Sequence, residues 1–217
     1  MKIFSPPKKY LAKRADYHKN GVTMRFTSLV FAIGICLTLG ACTQNGSRTS
    51  INQQNKNPLT ASRYGDELAD AMANLVIQDD PAAKDPALRN IIDAEIARGK
   101  KLGIDARAVQ AEGMKGFLIP LKEEAQGNVL YVDDSLYLSS DFITKPGPDL
   151  HAFMTTAVDP RDTVFPDKTA LDLGTVQSVY GAQIYAVPAQ DNPALYRTFI
   201  LFDVKLKRIY SFAQLSK

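Results

Sequence analysis

Cysteine and histidine are scarce in this 217-residue chain, two of each, and tryptophan is absent. Two thiols allow at most one disulfide, so a fold stapled by several bridges is excluded and an apolar core has to hold the structure. Two histidines remove most His-rich metal sets and leave little for a nucleophile-activating triad. The chain also lacks G-x-S-x-G, H-E-x-x-H, a P-loop and the Rossmann glycines, so no catalytic residue, no metal site and no cofactor is expected, and no enzyme activity. No internal repeat of roughly 20–50 residues is evident. Long hydrophobic runs are missing as well: the longest, Phe26 to Leu39, falls short of the ~20 apolar residues that cross a bilayer.

What is present is a signal-like amino terminus. The short apolar run follows Met24-Arg25 and ends in Leu39-Gly40-Ala41-Cys42, after which the sequence turns polar. A basic residue, a short apolar stretch and small residues describe a secretory signal with its cleavage point between Ala41 and Cys42. The block resembles the lipobox of bacterial lipoproteins, in which the cysteine takes a diacylglycerol thioether and palmitate-type acyl chains and becomes the first residue of the mature protein. Residues 1–41 are accordingly expected to be a signal region, with Met24 as an alternative start, and Cys42 the lipidation site. The expected location is extracytoplasmic, lipid-anchored to the bacterial cell membrane or the outer membrane; the expected partners are membrane lipid through the anchor and an unknown envelope protein or small ligand.

That reading changes the charge. The whole chain carries +3, but residues 1–41 hold seven basic residues and one acidic residue, so 19 basic and 22 acidic residues remain from Cys42 onward. A mature charge near −3 offers no basic surplus, and nucleic acid is not an expected partner. Cys36 leaves with the signal, Cys42 is consumed by lipid, and His151 is the only histidine left.

Thr43 to Thr60 is rich in Gln, Asn, Ser, Thr and Lys, and residues 42–61 are expected to be a flexible tether. Residues 62–111 read as a helical segment. Ser62 is the predicted cap of a helix carrying Tyr64, Leu68, Met72, Leu75 and Val76 on one stripe and ending at Pro81. Asp85-Pro86 opens a second helix with Leu88, Ile91, Ile92 and Ile96, expected to stop at Gly99, and residues 105–111 add a short turn. From residue 112 to 217 the pattern becomes short β runs near 117–121, 129–132, 136–138, 150–155, 171–176, 184–187, 198–204 and 209–213, separated by turn signals such as Asp133-Asp134 and Asp159-Pro160. About eight strands without long intervening helices predict a mainly β fold, an antiparallel β-sandwich preceded by a small helical segment.

Four blocks in this region, Gly147-Pro148-Asp149-Leu150-His151-Ala152-Phe153-Met154, Leu173-Gly174 with Gly181-Ala182-Gln183-Ile184-Tyr185-Ala186-Val187-Pro188, Tyr196-Arg197-Thr198-Phe199-Ile200-Leu201-Phe202, and Tyr210-Ser211-Phe212-Ala213-Gln214-Leu215, resemble the DM-thirteen domain over residues 112–215. The resemblance implies electron transfer through a cysteine in the penultimate strand. The matching position here is Asp203, and a carboxylate has neither a redox couple nor disulfide chemistry. The main expectation is therefore a non-catalytic binding or scaffolding domain in an envelope lipoprotein, and a redox module is the alternative.

Three residues stand out as possible ligand contacts. Asp149 and His151 are two apart and share one strand face, opposite Leu150, Ala152 and Met154; they either bind a cation or orient a ligand, or form a plain surface pair with Asp149 satisfying turn amides after Pro148. Asp203 runs in phase with Phe199 and Leu201, so it either sits partly buried at the strand's end or begins the hairpin that Lys205 and Lys207 expose, satisfied by a lysine or a turn amide.

Overall fold

A computed structural model describes residues 50–162 and 164–217. Cys42 and the signal region therefore lie outside the described residues. Among the described residues the helices are α1 (Ile51–Gln54), α2 (Pro58–Ile77), α3 (Pro81–Lys84) and α4 (Pro86–Glu112). The strands are β1 (Met114–Phe117), β2 (Ile119–Pro120), β3 (Ala125–Gln126), β4 (Asn128–Val132), β5 (Ser135–Leu138), β6 (Ile143–Thr144), β7 (Leu150–Thr155), β8 (Leu171–Thr175), β9 (Gln183–Ala186), β10 (Thr198–Asp203) and β11 (Arg208–Gln214).

Helix α2 begins earlier than the Ser62 reading placed it. Asn57 is its cap, accepting the Leu59 N–H, and Pro58 takes the first helical position, where its missing donor costs nothing. Ser62 lies inside the helix and bonds its hydroxyl back to the Leu59 carbonyl instead. The expected tether at 42–61 is thus structured from Ser50 onward, with Ser50 capping α1 and Asn57 fully enclosed. The same cap-and-proline pair recurs at Asp80-Pro81 and Asp85-Pro86.

Helix α4 also runs through the expected stop at Gly99 and absorbs residues 105–111. Gly99 is a contact point, not a terminator: a Cβ there would stand 2.6 Å from the Gly65 carbonyl oxygen of α2 and 2.9 Å from the Ala69 nitrogen. A Cβ on Gly65 would stand the same 2.6 Å from the Gly99 carbonyl oxygen. The two helices form a hairpin closed backbone to backbone. Gln110 Nε2 donates to the Pro58 carbonyl (2.8 Å), and Asn57 Nδ2 donates to the Leu138 carbonyl (2.7 Å), fastening the hairpin's base to β5.

Among the described residues eleven strands, paired antiparallel throughout, build a sandwich. One sheet has the order β1-β4-β5-β9, the other β2-β11-β10-β7-β8, and β3 and β6 form a small pair at the side. The expected run at 117–121 splits at Leu118, where the chain leaves β4's partner strand and joins β11's, so this segment serves both sheets. Between the sheets lie Val129, Leu136, Leu138, Leu150, Ala152, Met154, Phe199 and Leu201. The five-stranded sheet is covered on its other face too, where Phe153, Ile200, Phe202 and Phe212 form a second core under Phe165 of the 156–170 loop. Phe153, Phe165 and Phe202 meet edge to face at 5.0–5.9 Å. Strand β10 is consequently buried at every position, which explains its near-continuous apolar sequence.

Candidate functional site

Asp149 and His151 meet, as their spacing predicts: His151 Nε2 lies 3.4 Å from Asp149 Oδ1. They stand at the start of β7, on the same face as Phe153, whose ring lies 6.2 Å from the imidazole. Two residues that sequence reasoning passed over complete the group. Asp172 approaches His151 Nδ1 at 2.9 Å, and Thr175 Oγ1 lies 3.2 Å from Nε2. In a regular strand residues 172 and 175, three apart, would face opposite sides. A bulge in β8 opposite Ala152 and Phe153 adds one residue, so both flank His151. Gly174, at φ +101, supplies the left-handed backbone this needs, and its N–H donates to Asp172 Oδ1 at 2.8 Å. A lone glycine inside the run Leu171 to Thr175 was the available sign of that bulge.

The order carboxylate, imidazole, hydroxyl is that of an acid–base relay. Two features work against one. Asp149 competes with Thr175 for Nε2, and the Gly174 N–H beside Thr175 is already committed to Asp172 and cannot serve a developing oxyanion. Among the described residues no three metal-ligating side chains are placed to hold a metal ion. What the cluster does is join β7 to the edge strand β8, with Lys205 Nζ 3.7 Å from Asp149 completing its charge.

Asp203 does not join this cluster. It continues the inner row of Phe199 and Leu201, is fully enclosed, and faces the space between the sheets. Its Oδ1 accepts the Leu206 N–H (2.8 Å) and its Oδ2 the Asp149 N–H (3.2 Å), so turn amides satisfy it and no lysine does. The carboxylate therefore caps the 204–207 turn and ties it to the entry of β7. Gly147 is required beside it, because any Cβ there would collide with Asp203 Oδ2 and approach the Tyr210 hydroxyl. Burial first, and the Asp203 charge second, push the Tyr210 phenol above its ordinary range. The three residues singled out from the sequence thus split into an outer pair and an inner carboxylate, linked through the Asp149 N–H.

No curated protein and no solved structure matches the chain. A family match does exist, to the family described as electron transfer DM13, and it spans residues 118–215. Those bounds take in β2 through β11 and leave the helical hairpin outside. They enclose the Asp149–His151 pair, the β8 bulge and the buried Asp203. Residues 118–215 of this chain belong to the electron transfer DM13 family.

Proposed function

We propose that the protein is an envelope lipoprotein whose DM13 sandwich is a non-catalytic binding or scaffolding module, held to the membrane through Cys42. The observation that carries the non-redox part is Asp203. It is fully enclosed, and its two oxygens are spent on backbone amides at the place where the family resemblance expects a cysteine. No cysteine follows Cys42, so a thiol route for electrons is missing from the mature chain. The anchoring part rests on Leu39-Gly40-Ala41-Cys42. Acyl chains contribute about 0.8 kcal/mol per buried methylene, enough to hold a soluble domain at a bilayer.

Labelled palmitate tests the anchor. The wild-type chain is expected to incorporate it and to sediment with membranes, while Cys42→Ser is neither labelled nor membrane-bound; a Ser variant that partitions like the wild type contradicts the reading. The second reading, electron transfer, is favoured by the description of the family itself. It would need a bound redox group, and His151 is the one imidazole after Cys42 that could serve as an axial ligand.

A further inference from the structure

We propose that the groove between α1, the start of α2 and the β8–β9 connection binds a neutral oligosaccharide. This deepens the binding-module reading and rests on it. The groove is open, about 730 Å³ in volume, and is lined by Gln53, Asn57, Gln177, Tyr180, Gln183 and Ile184 among others. That size lies within the roughly 300–1,000 Å³ of small-molecule sites.

Its chemistry differs from that of three other grooves on the described surface. Those present charge: Arg63, Lys115 and Asp141 in one, Glu124 and Lys145 in a second, Arg161 and Arg208 in a third. This one has no Asp, Glu, Lys, Arg or His in its lining. An anionic ligand would find no countercharge there, and a cation no carboxylate. Amides dominate instead, and an amide offers both donors and acceptors, as a sugar hydroxyl does.

The floor is rigid and stays neutral. Tyr185 donates to Gln183 Oε1 (2.6 Å), the Gln177 N–H donates to the same oxygen (3.0 Å), and Gln183 Nε2 donates to the Ser178 carbonyl (2.7 Å). Burial pushes the Tyr185 phenol up to about 12, so it carries no charge near neutrality. Gln177 fixes its own Nε2 on the Ile184 carbonyl (2.9 Å), which leaves its Oε1 as an acceptor for a ligand.

Tyr180 supplies the apolar half of the recognition. It is 69% exposed, yet it sits on a fixed turn. The Thr144 N–H donates to the Val179 carbonyl and the Gly181 N–H to the Phe142 carbonyl, both at 2.8 Å, and Gly181 adopts φ +87. An aromatic face held out into solvent beside neutral amides matches a pyranose ring, which has an apolar C–H face and a rim of hydroxyls. Strand addition by a peptide fits less well. The β9 carbonyls of Gln183 and Ile184 are already engaged by the amides of Asn57 (3.4 Å) and Gln177.

The test is calorimetric titration of the full chain, in a zwitterionic detergent free of sugar headgroups, with chitotetraose, maltotetraose and cellotetraose. At least one is expected to bind, Tyr180→Ala to weaken that binding about tenfold, and Tyr180→Phe to retain it. Both substitutions sit at an exposed position and should leave the melting temperature unchanged. No heat from any of the three sugars up to about 10 mM, weaker than any useful site, would overturn the proposal, and so would wild-type affinity in Tyr180→Ala. Palmitate labelling of the same preparations separates the outcomes: sugar failure with labelling intact removes the site alone, and lost labelling removes the anchored module.

Discussion

The helical hairpin packs small residues against one another, whereas the sandwich packs large side chains between its sheets. The hairpin buries Gly65, Ala69, Gly99, Gly103 and Ala106, with Ile92 the only large apolar residue of α4 that is buried. Its surface is laced with exposed ion pairs such as Arg89–Asp93 and Lys101–Asp105, each contributing little. The sandwich encloses Phe199, Met154, Leu136 and Leu138 completely. One region is thus sensitive to added atoms and the other to removed ones. That contrast explains how a long hairpin can stand on a β domain while sharing little of its core.

Phe199→Ala should have the largest effect, because it opens a cavity between the two sheets. A loss of about 3–5 kcal/mol is expected, seen as a lower melting temperature for the β signal. Asp203→Ala comes next. It removes the acceptor of the Asp149 and Leu206 amides at the edge of the fold, for about 1–3 kcal/mol, and faster hydrogen exchange at those two amides would report it. Gly99→Val should cost about 2 kcal/mol by forcing the helices apart. Its signature is loss of helical circular dichroism while the sandwich melts as before; if both melt together, hairpin and sandwich are energetically one body.

Acid should act on the loop over the second core. Burial raises the Asp167 carboxyl, but hydrogen bonds from Thr155 and Thr169 outweigh it, and the net pKa is lowered. A depressed carboxylate stabilises the fold fully above the unfolded value near ~3.9 and loses that contribution as pH falls through its folded value. Below the ordinary carboxylate range the 156–170 loop should loosen from Phe153 and Phe202, giving faster exchange there. Asp167→Asn should show the loosened loop already at neutral pH and a flatter acid response.

Much of this architecture is legible in the chain. The alternation of apolar and turn residues from 117 onward marks seven of the eight longer strands and touches β1 only at Phe117, because side-chain period and turn chemistry are local properties. The two-residue strands β3 and β6 are too short to show a period. Ser62 misled because a cap residue inside a helix looks like one at its end; Asn57-Pro58 carried the same signal as Asp85-Pro86, in a stretch whose polarity suggested a tether. Gly99 reads as a stop until its neighbour Gly65 is known, a contact 34 residues away in sequence. The site was half visible. Asp149 and His151 are paired by spacing alone, but Asp172 and Thr175 reach them only through the bulge at Gly174, and the burial of Asp203 depends on how two sheets face each other.

The central claim, that this DM13 domain does not carry electrons through its own side chains, is tested most directly by reductive titration of the purified full chain under anaerobic conditions, followed by absorbance. The account predicts no electron uptake and no visible or Soret band, since no cysteine follows Cys42 and Asp203 stands where the resemblance implies one. Uptake of one or more electrons per chain, or a Soret band lost in His151→Ala, would contradict it.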